Sequence, residues 1–132
     1  MTRIALYCTD TMNDATYGHL LVDLAREGGE LVLVGDGLDT VRSLGGLPVM
    51  PEADLGAVTA LGIDVFVVPG ADSYVKGHER LLRTLREARL RGVTVAAIGA
   101  RAVLEHAGLG EDPTVITEDD PARFAARILR AG

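Results

Sequence analysis

Three short segments carry residue types that could do chemistry, and each follows an apolar run. The first, "CTDTMND", places Cys8 close to Asp10 and Asp14. A thiol and carboxylates supply nucleophilic and acid–base chemistry. The second, at 70–72, and the third, at 99–101, offer mainly backbone amides, the groups that stabilise an oxyanion or bind an anion. These segments are the candidate site, with Cys8, Asp10 and Asp14 as candidate catalytic residues.

Cys8 is the only cysteine, so an internal disulfide is excluded and a reducing cytoplasm is the expected location. A lone cysteine is most often a small buried hydrophobe, and a reactive thiol needs a cationic or basic neighbour that lowers its pKa. Arg101 and His19 are the candidates for that neighbour. The three histidines, His19, His78 and His106, lack metal-ligand spacing and a partner cysteine pair. No metal site is predicted.

Apolar runs of strand length alternate with segments of helical period along the whole chain. Strands are predicted at 3–8, 30–35, 63–70, 93–99 and 114–117, and helices at 15–27, 77–92, 100–108 and 119–131. Asp120 is the predicted N-cap of the last helix, with Pro121 at its first position. The stretch 36–62 has no long periodic helix, and 45–55 is predicted to be an excursion of short extended pieces.

Strands that are apolar on both faces and separated by helices indicate a parallel sheet covered on both sides. The predicted fold is therefore α/β: one domain, 1–132, forming a doubly wound, flavodoxin-like three-layer sandwich with about five strands in a mainly parallel sheet. Ligands of such folds bind at the carboxyl ends of the strands. That rule predicts that the ligand-binding residues lie in the segments 8–11, 70–74 and 99–101.

The composition excludes several classes of partner. The chain has 132 residues, 48% of them hydrophobic, with a formal net charge of −6 and a pI near 4.9. An acidic chain without a membrane-length apolar run is not expected to bind nucleic acid or a membrane, and the N-terminus does not resemble a signal peptide. The sequence "VGDGLDTV" lacks the third glycine of a dinucleotide-binding loop and follows the second strand. No cofactor is predicted.

Four segments, in order, carry a family resemblance: "RSLGGLPVMPEADL", "DVFVVPGADS", "VTVAAIGARAVLEHAGL" and "VITEDDPARFAARIL". Together they resemble the ThiJ/PfpI group of the class-I glutamine-amidotransferase-like superfamily. In that group one strand ends in Pro-Gly-Gly, and a later strand ends in Ala-Ile-Cys before a helix that finishes Ala-Gly-Leu. The resemblance covers most of the chain and implies a cysteine nucleophile on a strand-to-helix elbow.

The departures from that pattern remove the chemistry. Gly99 stands at the position of the nucleophile, and Ala100 follows it where protease-like members often have histidine. The family's glutamate aligns near Thr16, and the second glycine of Pro-Gly-Gly is Ala71. The segment that would carry a further histidine or acid is almost wholly absent. Cysteine-based hydrolase, amidase or glyoxalase activity is therefore not expected.

Glycine suits an elbow without a nucleophile, because such a turn strains any residue that has a side chain. The free amides of the following helical turn and the guanidinium of Arg101 would then form an anion-binding site. Arg101 reaching solvent from a surface turn is an equally good interpretation. The predicted ligand-binding residues are Gly70, Ala71, Asp72, Gly99, Ala100, Arg101 and Thr16.

Three functions follow from these residues. The favoured one is a non-catalytic family member that binds a small, anionic ligand or a protein partner, with a homodimer expected. The second is an enzyme with relocated chemistry, using Cys8 or the pair Asp10 and Asp14 on a small carbonyl or amide compound. The third is a subunit of a larger assembly, docked through the arginine-rich helix 77–92.

Overall fold

The apolar runs form one parallel sheet, as the alternation of strands and helices predicts. The structure is a computed structural model that describes residues 2–74 and 78–131. The strands of the sheet are β1 (Arg3–Tyr7), β2 (Glu30–Gly35), β5 (Ala53–Asp54), β6 (Val65–Pro69), β7 (Thr94–Ile98) and β8 (Ile116–Thr117). A separate antiparallel hairpin consists of β3 (Val41–Arg42) and β4 (Pro48–Val49). The helices are α1 (Asp14–Arg26), α2 (Ala57–Ala60), α3 (Glu79–Leu90), α4 (Arg101–His106) and α5 (Pro121–Ala131).

The order of the strands in the sheet is β5-β2-β1-β6-β7-β8, and every pairing in it is parallel. Leu6 of β1 lies opposite Leu33 on one side and Val67 on the other. The chain builds outward from β1 to β2 and then returns to β6, which makes the β1–β6 junction the point where the winding reverses. Ligand crevices of open α/β sheets form at that point, beyond the carboxyl ends of the strands.

The sheet divides the core into two layers of buried side chains. On one face β1 contributes Ala5 and Tyr7, which pack with residues of α2, α3 and α4. On the other face it contributes Ile4 and Leu6, which pack with residues of α1 and α5 together with Cys8, the residue that follows the strand. A strand that is buried on both faces must be apolar throughout, which explains the continuous runs in the sequence.

Local signals fix the helix ends. The side chain of Asn13 accepts a hydrogen bond from the Ala15 N–H (3.1 Å) and caps α1. Asp120 caps α5 as predicted, because its carboxylate accepts from the Arg123 N–H (2.9 Å). Among the described residues, no helix has the length and apolar content needed to cross a membrane.

The excursion at 45–55 contains short extended pieces, β4 and β5, as predicted, whereas the number of strands in the sheet and the start of α3 differ from the prediction. The sheet has six strands rather than about five, because 53–54 adds β5 beside β2. Helix α3 begins at Glu79, later than the predicted start at 77, which lies outside the described residues. His78, predicted to be helical, has a left-handed backbone (φ 59°, ψ 31°).

Candidate functional site

The turn between β7 and α4 is a sharp elbow at Gly99. Its φ is +69°, in the left-handed region that residues with a side chain rarely adopt. A Cβ atom built on Gly99 would lie 3.3 Å from the Cα of Gly70 and 3.7 Å from the Cγ2 of Thr16. The ends of β7 and β6 and the first turn of α1 therefore meet at this point.

The end of β6 is tied to the loop that follows β1. The carbonyl of Gly70 accepts a hydrogen bond from the Asn13 N–H (2.7 Å), and Ala71 forms an isolated antiparallel bridge with Met12. A Cβ on Gly70 would lie 3.2 Å from the Gly99 carbonyl oxygen, so the two strand ends approach closely. Asp72, the next residue, is exposed.

Thr16 presents its methyl group, not its hydroxyl, to the elbow. The Thr16 Oγ1 donates to the Asn13 carbonyl (2.6 Å), while Cγ2 faces the position that a Gly99 side chain would occupy. A hydroxyl engaged in this way, on a residue without an ionisable group, has no acid–base role at neutral pH.

A cavity of about 170 Å³ opens beside the elbow, between α4 and the end of β8. Its lining residues are Ala97, Gly99, Ala100, Arg101, Leu104, Thr117, Glu118 and Asp119. The exposed Arg101 contributes a cation, and Glu118 and Asp119 contribute carboxylates. Glu118 also forms ion pairs with Arg123 (3.4 Å) and Arg127 (3.8 Å) of α5. The cavity thus has both positively and negatively charged side chains in its lining, whereas the sequence predicted an anion-binding site with positive charge from Arg101.

Cys8 lies at the carboxyl end of β1 but is only 2% exposed. Its Sγ donates weakly to the Leu6 carbonyl (3.6 Å). Burial, followed by the negative charge of Glu52, raises the pKa of the thiol to about 12. A neutral thiol in an apolar layer is a poor nucleophile.

Asp10 and Asp14 are hydrogen-bonded to the β3–β4 hairpin. An Asp10 oxygen accepts from the Arg42 N–H (3.0 Å), and an Asp14 oxygen accepts from the Gly45 N–H (2.7 Å). Hydrogen bonds from the Ser43 side chain and then from the Gly45 backbone lower the pKa of Asp14. Both carboxylates are therefore engaged with backbone amides of the hairpin.

The structure also contains a polar cluster that the sequence did not predict, formed by Tyr7, Asp36 and His78. The Tyr7 hydroxyl lies 3.1 Å from an Asp36 oxygen and 3.2 Å from the Nδ1 of His78. Tyr7 ends β1 and Asp36 follows β2, the neighbouring strand, and the sequence does indicate both strand ends. His78 reaches them only through the fold, so no spacing could have identified it. In the described ranges no group of three or more His, Cys, Asp or Glu side chains is arranged to hold a metal ion.

The fold and the elbow define a known class of protein. Residues 2–117 match the DJ-1/PfpI family, and the chain belongs to that family. Its resemblance to the ThiJ/PfpI group is confirmed.

Two relatives show the range of similarity. The chain is 30% identical over 116 residues to the "uncharacterized protease YoaZ" of Bacillus subtilis, covering 80% of this chain and 55% of that protein. It thus spans about half the length of that curated relative. The crystal structure of the DJ-1 superfamily protein Atu0886 from Agrobacterium tumefaciens superimposes with a TM-score of 0.88 at 27% identity, over 99% of this chain and 89% of that one.

A more distant structure shares the fold alone. Oxidised DJ-1 of Toxoplasma gondii aligns with a TM-score of 0.82 at 17% identity, over 98% of this chain and 90% of that one. The α/β architecture is therefore preserved across sequences that have diverged widely.

Proposed function

We propose that this protein is a non-catalytic member of the DJ-1/PfpI family that binds a small ligand beside the elbow. The observation that carries the proposal is the elbow itself, which keeps its left-handed turn at Gly99 but has no side chain there. The turn and the cavity beside it are compatible with binding, whereas covalent catalysis needs a nucleophile.

The charges around the cavity support a ligand that has both an acidic group and a donor. Arg101 suits a carboxylate or phosphate group, since a guanidinium binds such groups through paired hydrogen bonds. The charge of Glu118 is balanced by Arg123 and Arg127, so Asp119 is the carboxylate that would repel a simple anion and favour a ligand that also has an amine or hydroxyl donor. A small molecule with an acidic group and a hydrogen-bond donor, such as an amino acid, fits both sides.

Titration with glycine, malonate and inorganic phosphate, followed by amide NMR, tests the proposal. Shifts confined to residues 99–102 and 117–119 are expected, with glycine bound more tightly than malonate. Arg101→Ala should weaken binding about 10- to 100-fold, the effect of losing a hydrogen bond to a charged group. Arg83→Ala, a change at an exposed arginine of α3, is the matched control. The absence of localised shifts with all three probes would refute the small-ligand proposal.

Relocated chemistry has less support from the structure. Cys8 is buried with a raised pKa, and Asp10 and Asp14 accept hydrogen bonds from backbone amides. An enzyme would need at least one of these groups free and facing a substrate.

A second candidate role, partner binding as a homodimer, is favoured by one apolar surface. A groove of about 390 Å³ lies between α1, β2 and the hairpin, and its walls include Leu21, Leu31 and Leu33. Leu47 and Met50 also line the groove, and their side chains are 59% and 69% exposed to solvent. Because groove and protruding side chains are neighbours, a twofold axis would let each copy fill the groove of the other. Light scattering should then give twice the chain mass, and a monomer at all concentrations would refute this role.

A further inference from the structure

Met50 places an oxidisable sulfur atom in the apolar groove beside the hairpin. Its side chain, directly after β4, is 69% exposed, whereas Met12, which lines the same groove, is fully buried. Cys8 is buried as well, and Met1 lies outside the described residues. Of the sulfur-containing residues that the structure describes, Met50 alone is therefore open to a reagent in solvent.

The backbone on both sides of Met50 is fixed, so its side chain has a defined place. Val49 pairs with Val41 across the hairpin, and the Glu52 N–H donates to the Leu33 carbonyl of β2 (2.8 Å). A Glu52 carboxylate oxygen accepts from the Leu33 N–H (3.0 Å) in turn. These contacts hold the flexible thioether beside the groove wall to which Leu33 belongs.

The Met50 thioether reacts with a peroxide without first losing a proton, unlike a thiol. A lone pair of the sulfur attacks one oxygen of hydrogen peroxide, and the O–O bond breaks as the S–O bond forms. The proton of the attacked oxygen passes to the departing hydroxide, which leaves as water. The sulfur is oxidised by two electrons to the sulfoxide and the peroxide is reduced, so the step needs no other reactant.

The sulfoxide of Met50 does not suit the apolar groove. Its oxygen accepts hydrogen bonds strongly, and burial of such a group without a donor is unfavourable. Among the residues that line the groove, Tyr17 alone has a side-chain donor, and its hydroxyl already donates to Asp14 (3.5 Å). A Met50 sulfoxide inserted into the groove of a second copy would therefore find no free side-chain donor.

We propose that Met50 is an oxidation switch that controls the association of two copies of this chain, an inference that rests on the homodimer proposed above. The reduced side chain packs in the groove of the second copy, whereas the sulfoxide favours the separate chains. Because the dimer contact covers Met50, a peroxide reacts with the separate chain and then prevents reassociation. Enzymatic reduction of the sulfoxide restores the thioether and with it the dimer.

The experiment treats a dilute sample of the full chain with hydrogen peroxide and follows two quantities. Mass spectrometry of peptides should show Met50 oxidised at least about tenfold faster than Met12, because oxidation follows exposure. Light scattering over a dilution series should show the dissociation constant of the dimer rising about 100-fold, the effect of one unsatisfied acceptor in each copy. Treatment with methionine sulfoxide reductases should reverse that rise.

Two variants separate oxidation from association. Met50→Leu keeps an apolar side chain of similar volume, so it should form the dimer and should no longer respond to peroxide. Met50→Gln places a polar group at the same position and should weaken the untreated dimer about 10- to 100-fold. Because Met50 is exposed in the single chain, both variants should fold.

Equal oxidation rates of Met12 and Met50 would overturn the switch. It would also fail if the oxidised wild type kept its dissociation constant, or if the Met50→Leu dimer dissociated in peroxide. A monomer at every concentration before treatment refutes the homodimer and the switch together, whereas a dimer that survives full oxidation of Met50 refutes the switch alone. The glycine and phosphate titrations are unaffected by these results, since Met50 does not line the cavity beside Gly99.

Discussion

Gly99 combines two requirements that can be separated by mutation. Its φ of +69° penalises any side chain, and its Cβ position lies 3.3 Å from the Gly70 Cα. Gly92 has a similar φ of +79° with open space around it, and Gly37 has open space without a positive φ. The three alanine variants therefore separate the cost of the turn from the cost of the close approach.

We expect Gly99→Ala to be the most destabilising of the three. Gly92→Ala should lower the free energy of unfolding by about 1 kcal/mol, the cost of a left-handed backbone, and Gly99→Ala by more. Gly37→Ala should leave it unchanged or raise it slightly. Guanidinium denaturation measures all three, and equal values for Gly99→Ala and Gly37→Ala would contradict the elbow geometry.

The thiol of Cys8 should be nearly inert in the folded protein. With a pKa of about 12, its thiolate fraction at pH 8 is on the order of 1000-fold below that of an ordinary cysteine. Iodoacetamide should therefore alkylate Cys8 slowly in buffer and at the ordinary rate in 8 M urea, as mass spectrometry can follow. Rapid alkylation of the native protein would restore Cys8 as a candidate nucleophile.

At the scale of elements, two carboxylates attach the β3–β4 hairpin to the sheet edge. Asp10 accepts from the backbone of β3, and Asp14, in the first turn of α1, accepts from the turn of the hairpin. The hairpin carries Leu47 and forms part of the apolar groove. Asp14 thus links the start of α1 to the surface proposed to bind a second copy.

The lowered pKa of Asp14 makes this attachment sensitive to acid. A carboxyl group whose pKa is lowered by folding stabilises the protein above its unfolded pKa, and that contribution is lost as the pH falls through the folded pKa. The difference in unfolding free energy between wild type and Asp14→Asn should therefore be larger at pH 6 than at pH 2.5. Urea denaturation at the two pH values measures it.

Asp39→Asn is the control for this pH dependence, since Asp39 is an exposed carboxylate on the loop after β2. The unfolding free energy of Asp39→Asn should differ little from that of the wild type at both pH values. If the wild type exceeded Asp14→Asn in unfolding free energy by the same amount at pH 2.5 as at pH 6, the charge of Asp14 would not be what holds the hairpin.

The long elements were predictable because their signals are local and repeated. Strands such as β6 are continuous apolar runs, and Asp120 with Pro121 marks the start of α5. The hairpin and β5 have two residues per strand, too few to show a period, and only the tertiary fold places β5 beside β2. The elbow at Gly99 was predicted, whereas the carboxylates that share its cavity with Arg101 follow the distant β8 and were not predicted.

At the scale of the whole molecule, exposed apolar side chains are concentrated on one segment. Leu38, Leu44, Leu47 and Met50 are each at least 50% exposed. Large apolar patches on a protein surface usually mark an interaction site, whereas single exposed residues need no explanation. Leu90 of α3, 86% exposed on the opposite face of the sheet, is an example of the second kind.

The double variant Leu47→Ser/Met50→Ser should dissociate the proposed dimer while the chain stays folded. Both side chains are already exposed in the single chain, so their loss costs little folding free energy but removes apolar area from the interface. Light scattering should show the mass falling from two chains to one, and circular dichroism should be unchanged. Leu90→Ser removes a more exposed leucine elsewhere and should leave the mass at two chains. If the double variant remained dimeric, the interface would lie on another face, and the groove beside the hairpin would not be the contact between copies.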